Sequence, residues 1–317
     1  MAKMNSLFVI IGLCVFALGC KAERDASSLY GADESGILVV DGLLIVDKPL
    51  PSIFVRQTVG PGQIYTRQAA AVTDAEVVVA TGGQTVVYRA DPDSLGRYLP
   101  PANAPLVLPE RTYSLTVRSQ GRQARAQTTT PGRLSVVDAV LLDDQTLAVI
   151  RRFKTFKDGK EVVYTAPENQ VAYQEGLLEA RFNPLAVKGY QVGIESLDRD
   201  SELVLESDLL DEKDYADLER YGSSPAFEAK DGTLRLPWFA VYYGGRHVLR
   251  FFAVDDNWFD LIRSVPEFFQ DGDANAFQPG GLAGDNFERP FFHVEGGIGI
   301  FGSASMDSLG FFVQPKK

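Results

Sequence analysis

The chain has 317 residues, 45% of them hydrophobic, and 31 Lys and Arg against 42 Asp and Glu give a formal net charge of −11. This length and apolar content predict a folded protein of about two domains rather than a disordered chain. The negative charge argues against a sequence-independent nucleic-acid binder. Two cysteines and two histidines leave little material for a metal centre, a thiol enzyme or a histidine-based triad.

The N-terminus has the pattern of a secretory signal. Lys3 precedes an uninterrupted apolar run at residues 7–18, which is shorter than the ~20 residues that a bilayer-spanning helix needs. The run ends in Ala17-Leu18-Gly19-Cys20, which resembles the lipobox of bacterial lipoproteins, with Ala17 where Leu is usual. We therefore predict that residues 1–19 are a signal peptide and that Cys20 becomes the acylated first residue of the mature chain. The alternative is a plain secretory signal with an incidental cysteine.

Cleavage at this point would change the composition of the protein. Cys14 would leave with the signal and Cys20 would be capped by lipid, so we predict no disulfide and no free thiol. The mature chain would have 298 residues and, without Lys3, 30 basic and 42 acidic residues, a net charge of −12. Residues 20–35 are polar and unpatterned, and we predict a flexible tether there.

Residues 36–131 predict an antiparallel β-sandwich, because short alternating segments are separated by turn residues. The segments at residues 73–77, 96–98 and 111–117 resemble those of Ig-like or carboxypeptidase-regulatory-like modules. Gly82 and Gly83 indicate a hairpin, and four prolines at residues 100–109 suit a long connection between sheets. We place a domain boundary at Thr130-Pro131-Gly132. The predicted strands are residues 37–40, 43–46, 76–80, 85–89, 112–118 and 122–128.

Residues 132–317 predict a larger antiparallel β domain, a meander or an open barrel, with two short helices and a glycine-rich closing strand. The helices are predicted at residues 211–221, with Gly222 following, and at residues 255–265, with an Asp cap. Hairpin turns are predicted at residues 157–160, 230–233 and 244–245. The predicted strands are residues 134–142, 146–153, 162–165, 188–196, 234–243 and 247–254.

The motifs that could carry chemistry do not complete a site. Gly297, Gly299 and Gly302 match GxGxxG, but only 15 residues follow them, too few for a dinucleotide-binding βαβ unit. His247 and His293 have no cysteine or second histidine nearby for zinc. Residues 302–305 lack the final glycine of a serine-hydrolase elbow. The pair Asp255 and Asp256 is better explained as a helix cap.

One acidic segment resembles the start of a calcium loop. Asp271, Asp273 and Asn275 have the spacing of the first ligands, but Ala276 and Leu282 stand where an EF-hand needs Gly and Glu. The simpler interpretation is a surface loop at residues 270–286, with a looser calcium site built on backbone carbonyls as the alternative.

Several segments together resemble a known family. They are the strand at residues 37–42, the segments 73–77, 96–98 and 111–117, the motif at residues 287–290, and the run from Val294 to Gly302 that contains Glu295, Gly296, Gly297, Gly299 and Gly302. They are similar to the lipoproteins of the Bacteroidota family called domain of unknown function 4249, over about residues 36–314. His293 stands where an Asn is common in that family.

The resemblance implies a location and a neighbour, since genes of the family often lie beside those of TonB-dependent outer-membrane receptors. It implies no catalytic residue and no cofactor. We therefore expect an outer-membrane-anchored, non-catalytic binding or accessory module that works beside such a receptor, with an unknown ligand and no nucleic-acid partner. Two alternatives are a structural or adhesive surface protein and a glycan or peptide hydrolase.

Overall fold

A computed structural model describes residues 35–60, 62–154, 164, 166–205, 219–224, 227, 232–236, 238–262 and 293–314. Several sequence predictions lie outside the described residues. They are the signal peptide, Cys20 and most of the tether, the turn at residues 157–160, the strand at residues 162–165 except Tyr164, residues 211–218 of the first predicted helix, residues 230 and 231 of the following turn, residues 263–265 of the second predicted helix, the loop at residues 270–286 and the motif at residues 287–290.

The described residues form eighteen strands. They are β1 (Leu38–Ile45), β2 (Ile53–Gln57), β3 (Glu76–Thr81), β4 (Gln84–Val87), β5 (Arg89–Ala90), β6 (Arg97–Leu99), β7 (Thr112–Ser119), β8 (Arg122–Thr129), β9 (Val136–Leu142), β10 (Val149–Arg152), β11 (Gln170–Ala172), β12 (Leu177–Phe182), β13 (Gly189–Ser196), β14 (Tyr221–Ser223), β15 (Thr233–Leu236), β16 (Gly245–Val254), β17 (Val294–Glu295) and β18 (Gly297–Gln314).

Helices are short and few in the described part of the chain. They are α1 (Arg67–Ala70), α2 (Asp256–Ile262) and two 3₁₀ turns at Pro167–Asn169 and Trp238–Ala240. Neither α-helix has the length and apolarity needed to cross a bilayer. Helix α2 confirms the helix predicted from residue 255, and α1 was not predicted.

The strands form three sheets. A nine-stranded sheet has the order β14-β13-β16-β18-β1-β2-β6-β5, with β11 also beside β18. A four-stranded sheet has the order β10-β9-β12-β15, and a five-stranded sheet the order β17-β8-β7-β3-β4. The predicted fold class is confirmed, since the protein is mainly β and of the β-sandwich type.

The first sandwich packs the five-stranded sheet against β1, β2 and β6. Strand β7 shows why these residues form it, because Tyr113, Leu115 and Val117 alternate with polar residues and are all buried. They join one hydrophobic core with residues of β1, β2 and β3. The proline-rich segment at residues 100–109 lies in the connection from β6 to β7, as predicted, and so links two different sheets.

The second sandwich packs the four-stranded sheet against β13, β16 and the distal half of β18. Its core contains Leu141, Phe182, Phe251 and Phe311, contributed by four different strands. The two cores divide the chain near the predicted boundary at residue 131, but they share the closing strand. Phe301 of β18 belongs to the first core and Phe311 to the second.

The closing strand pairs in an unexpected direction. Strand β18 runs parallel to β1, with Leu38 opposite Gly297 and Ile45 opposite Ala304. It is also parallel to β11, whereas it runs antiparallel to β16. The N-terminal strand of the body therefore lies in the same sheet as the C-terminal half of the chain.

Three local predictions were wrong. The strand predicted at residues 234–243 ends at Leu236, and Trp238–Ala240 is a 3₁₀ turn. Tyr221 and Gly222, the predicted end of a helix and its following glycine, lie in strand β14, which pairs with β13. The predicted hairpin at Gly244 and Gly245 does not form, because β15 pairs with β12 while β16 pairs with β13 and β18. The helix end and the hairpin were predicted from local signals, which long-range strand pairing overrode.

Candidate functional site

An open cleft lies on the outer face of the five-stranded sheet. The pairing register aligns Glu295 of β17 with Arg125 of β8, and Arg125 with Thr116 of β7. In the next row Gln127 lies opposite Ser114. Because side chains alternate between the faces of a strand, these five polar residues share one surface.

A wall made by α2 and the segment before β17 converts this surface into a cleft of about 650 Å³. Asn257 of α2 and His293 form the wall, and we call the space the sheet cleft. The His293 Nε2 atom lies 2.7 Å from the Asp260 Oδ2 atom, so the imidazole is held against α2. The cleft contains one arginine, one glutamate and several neutral hydrogen-bonding groups.

A second cleft of about 640 Å³ lies between the two sandwiches, and we call it the junction cleft. Its lining comes from Glu110 and from residues 127–132, 185–187 and 254–257. Lys188 lies beside it and forms an ion pair of 3.1 Å with Asp256. Both clefts touch Gln127 and Asn257, so they are adjacent near the N-terminus of α2.

A buried polar cluster borders the junction cleft and holds α2 in place. Asp255, only 7% exposed, accepts hydrogen bonds at Oδ1 from the backbone N–H of Trp258 at 3.0 Å and of Ser303 at 2.9 Å. The Thr128 hydroxyl donates to Asp255 Oδ2, and it lies 2.7 Å from the Ser303 hydroxyl. The contact with Trp258 agrees with the predicted role of Asp255 as a helix cap.

The environment of Asp255 disfavours its charge. Burial raises the pKa of the carboxyl above the ordinary value of 3.8, although the hydrogen bonds from Ser303 and Thr128 act in the opposite direction. The donors fix the position of the carboxyl group and the burial limits its contact with water. Asp255 thus connects β8, β18 and α2 through one buried side chain.

Asn257 makes a second connection beside the first. Its Nδ2 group donates to the carbonyl oxygen of Gln127 at 2.6 Å and to that of Phe301 at 2.8 Å. One carbonyl belongs to β8 and the other to β18, so the amide bridges the five-stranded and the nine-stranded sheets. The wall of the sheet cleft is therefore fixed to both sheets.

The glycines of the closing motif let the backbones of β17 and β18 approach their neighbours closely. A Cβ atom on Gly296 would lie 2.3 Å from the carbonyl oxygen of Gln123, and one on Gly299 would lie 2.0 Å from that of Val40. Both residues have a positive φ, +70° and +108°, which L-residues rarely adopt. A Cβ atom on Gly297 would also lie close to the carbonyl oxygen of Leu38, and one on Gly302 would lie close to the Asp255 Oδ1 atom.

The two histidines lie far apart in the fold. His247 is 1% exposed, with its Nδ1 atom 3.0 Å from the carbonyl oxygen of Gly245 and its ring stacked on Phe311. Burial lowers the pKa of His247 below its ordinary value. His293 lies in the sheet cleft. Within the described ranges, no three His, Cys, Asp or Glu side chains come together as a metal site.

Sequence reasoning missed most of the residues that form the two clefts. Thr128 and Ser303 are polar residues buried at 3% and 0% exposure, and neither belongs to a recognised sequence motif. A signal for Thr128 is the period of two in β8, which places it on the same buried face as Ala124 and Ala126. Arg125 and Glu295 meet only through the pairing of β17 with β8.

Comparison with known proteins adds no relative to this picture. No protein-family model matches the chain, and the search of curated proteins finds no match. The resemblance to the domain of unknown function 4249 family rests on the sequence motifs and stays a prediction.

Proposed function

We propose that this chain is a lipoprotein held at the outer membrane by an acylated Cys20, with a β-sheet body that acts as a non-catalytic binding or accessory module. Its partner in this proposal is a TonB-dependent transport system. The apolar run at residues 7–18 and the lipobox-like segment that ends at Cys20 support the anchor. The resemblance described above supports the partner.

The observation that carries the binding role is the sheet cleft. It is open to solvent and is lined by hydrogen-bonding side chains, together with Arg125 and Glu295, which are adjacent and opposite in charge. Such a surface suits an extended polar segment, such as a receptor loop, better than a small apolar molecule. Its polar side chains are held on strands, which present them in a fixed arrangement.

Site-specific photo-crosslinking in cells tests the binding role. A photoreactive residue is placed at Gln127 in the sheet cleft, and a matched one at Gln84, which is also an exposed glutamine of the same sheet but lies on the edge strand β4. We expect an adduct with a TonB-dependent receptor from position 127 and little or none from position 84. Absence of a protein adduct at 127, or equal adducts at both positions, would contradict the proposal.

Metabolic labelling tests the anchor separately. Cells that express the wild-type chain or the Cys20→Ser variant are grown with a fatty acid that carries an alkyne tag. We expect the tag in the wild-type protein and its loss in the variant, since the thiol of Cys20 is the predicted site of acylation. Equal labelling of both proteins, or no labelling of either, would show that Cys20 is not the anchor.

A further inference from the structure

Two large apolar side chains lie exposed at the tip of the segment between β2 and α1. Ile64 is 88% exposed and Tyr65 is 58% exposed. All the residues from 62 to 69 are exposed, so neither side chain is covered by the body. An exposed apolar side chain lacks the stabilisation that burial would give it, and two neighbours at a tip form a surface that a partner could cover.

This tip lies at the end of the molecule where the chain from Cys20 joins the body. The Gly36 N–H donates to the Thr58 carbonyl at 2.8 Å, and the Thr58 N–H donates to the Ile37 carbonyl at 3.0 Å. After the tip and α1, the chain returns to the same end, where Ala71 pairs with Arg56. The segment with Ile64 and Tyr65 is thus an excursion from the sheet end that holds Gly36.

The charge around the tip differs from that of the whole chain. Residues 49–73 contain Arg56 and Arg67 and no acidic residue, although the chain has a net charge of −11. Arg122, which donates to the Gly36 carbonyl, adds a third cation at this end. Carboxylates lie at this end as well, Asp74 beside Arg122 and Glu76 paired with Arg118, so an anionic headgroup layer would meet charges of both signs around the exposed apolar pair.

We propose that Ile64 and Tyr65 insert into the lipid interface when the body is anchored, and so fix which end of the body faces the membrane. This inference rests on the proposed acylation of Cys20. Residues 21–34 separate Cys20 from Ser35, and a flexible chain of this length spans on the order of 20 Å. The tether would keep the tip at high effective concentration near the bilayer.

The chemistry of the two side chains suits the lipid interface. A tyrosine ring has an apolar body and a polar hydroxyl, which is why tyrosine is enriched at membrane interfaces, and isoleucine adds an aliphatic group beside it. Two residues bind a membrane weakly by themselves, since even a single acyl chain anchors a protein only marginally. The pair therefore orients a body that the lipid of Cys20 holds.

The test uses the full mature protein, purified from membranes and reconstituted into vesicles of phosphatidylethanolamine and phosphatidylglycerol. An environment-sensitive fluorophore is attached to Ile64→Cys, and the matched control is Leu108→Cys. Leu108 is also apolar and exposed, at 48%. The Leu108 carbonyl accepts a hydrogen bond from the Thr130 hydroxyl. Strand β8 begins at Arg122 and ends just before Thr130, so the control position lies at the other end of the five-stranded sheet.

We expect blue-shifted emission from position 64 and at least twofold stronger quenching there than at position 108 when the vesicles contain lipids with brominated acyl chains. Equal emission and equal quenching at the two positions would overturn the inference. A blue shift at position 64 without quenching by brominated lipid would mean that protein covers the pair, for example a second copy, and would overturn it as well.

A thiol count separates failure of the inference from failure of the proposed function. If Cys20 is acylated and Cys14 has left with the signal, the unsubstituted mature protein has no thiol to label. Labelling of that protein would contradict the proposed anchor. An unlabelled protein with no membrane contact at position 64 would leave the anchor intact and reject only the inserted pair.

Discussion

At the scale of single residues, Gly299 is the position where the closing strand has no room for a side chain. Its φ is +108°, and an added Cβ would meet the Val40 carbonyl oxygen at 2.0 Å. We expect Gly299→Ala to lower the free energy of unfolding by about 3 kcal/mol, because the backbone of β1 or β18 would have to move. Urea denaturation followed by circular dichroism measures this loss.

Gly82 is the matched control for this substitution. It also has a positive φ, +51°, but an added Cβ would have no heavy atom within 4 Å. Gly82→Ala should therefore show only the conformational cost, about 1 kcal/mol. If the two variants lose the same stability, close approach between β1 and β18 is not what requires glycine at position 299.

His247 makes stability depend on pH. Burial holds the pKa of His247 below its ordinary value of 6.5, and Arg220 lowers this pKa slightly further. The Gly245 carbonyl and Asp198 act in the opposite direction and raise it. As the pH falls below 6.5, the unfolded chain binds a proton that the folded protein excludes, so the folded state loses stability. We expect this loss to be smaller in His247→Phe, whose ring can still stack on Phe311.

Denaturation midpoints of the wild type and the variant at about pH 7 and about pH 5.5 measure the effect. Asp255 changes the stability with the opposite sign, because its pKa in the folded protein is raised above 3.8. Its contribution to stability is present at low pH and is lost as the pH rises through the folded-state pKa. Because both proteins contain Asp255, its effect cancels in the comparison. An identical pH dependence would contradict the assignment to His247.

At the scale of elements, helix α2 is joined to two sheets by side-chain hydrogen bonds at its N-terminus. Asn257→Ala removes the hydrogen bonds to the carbonyls of Gln127 and Phe301 and should cost about 1–2 kcal/mol. The substitution should mainly lower the free energy of local opening of α2. Amide hydrogen exchange should therefore become faster in α2, with a smaller change in β7. The comparison uses hydrogen exchange read by mass spectrometry.

Asp256→Asn is the control for the helix, because it changes the next residue toward the N-terminus. Asp256 is exposed and its ion pair with Lys188 joins two exposed side chains, so the substitution should change stability by less than about 0.5 kcal/mol. Exchange in α2 that responds equally to both substitutions would mean that the amide bridge does not hold the helix.

Elements with their own periodicity could be predicted from the sequence. The alternation of Tyr113, Leu115 and Val117 predicted both strand β7 and its buried face, and Asp255 predicted the start of α2. Local patterns failed where a residue serves a distant contact. Gly245 looked like a hairpin turn, but an added Cβ there would lie 2.6 Å from Asp198 Oδ2, so the glycine allows a close approach.

The candidate site could not be predicted for the same reason. Glu295 and Arg125 become neighbours only when β17 pairs with β8, across a separation in sequence of more than half the chain. The parallel pairing of β18 with β1 is equally non-local. A strand's own sequence indicates which face is buried, but it does not name the partner strand.

At the scale of the whole molecule, the closing strand couples the two hydrophobic cores. Phe301 is 1% exposed in the first core, Phe311 is 0% exposed in the second, and both belong to β18. Neither core can lose this strand without disturbing the sheet that it shares with the other. We therefore expect the described body to unfold in one cooperative transition rather than as two domains.

Calorimetry of wild type, Phe301→Ala and Phe311→Ala tests this expectation. Each substitution leaves a cavity in a different core and should cost about 3–5 kcal/mol. If the cores are coupled, each variant should retain a single transition, shifted to lower temperature, with a calorimetric enthalpy equal to the van't Hoff enthalpy. Two separate transitions, with each substitution shifting only one of them, would show that the cores unfold independently despite the strand that they share.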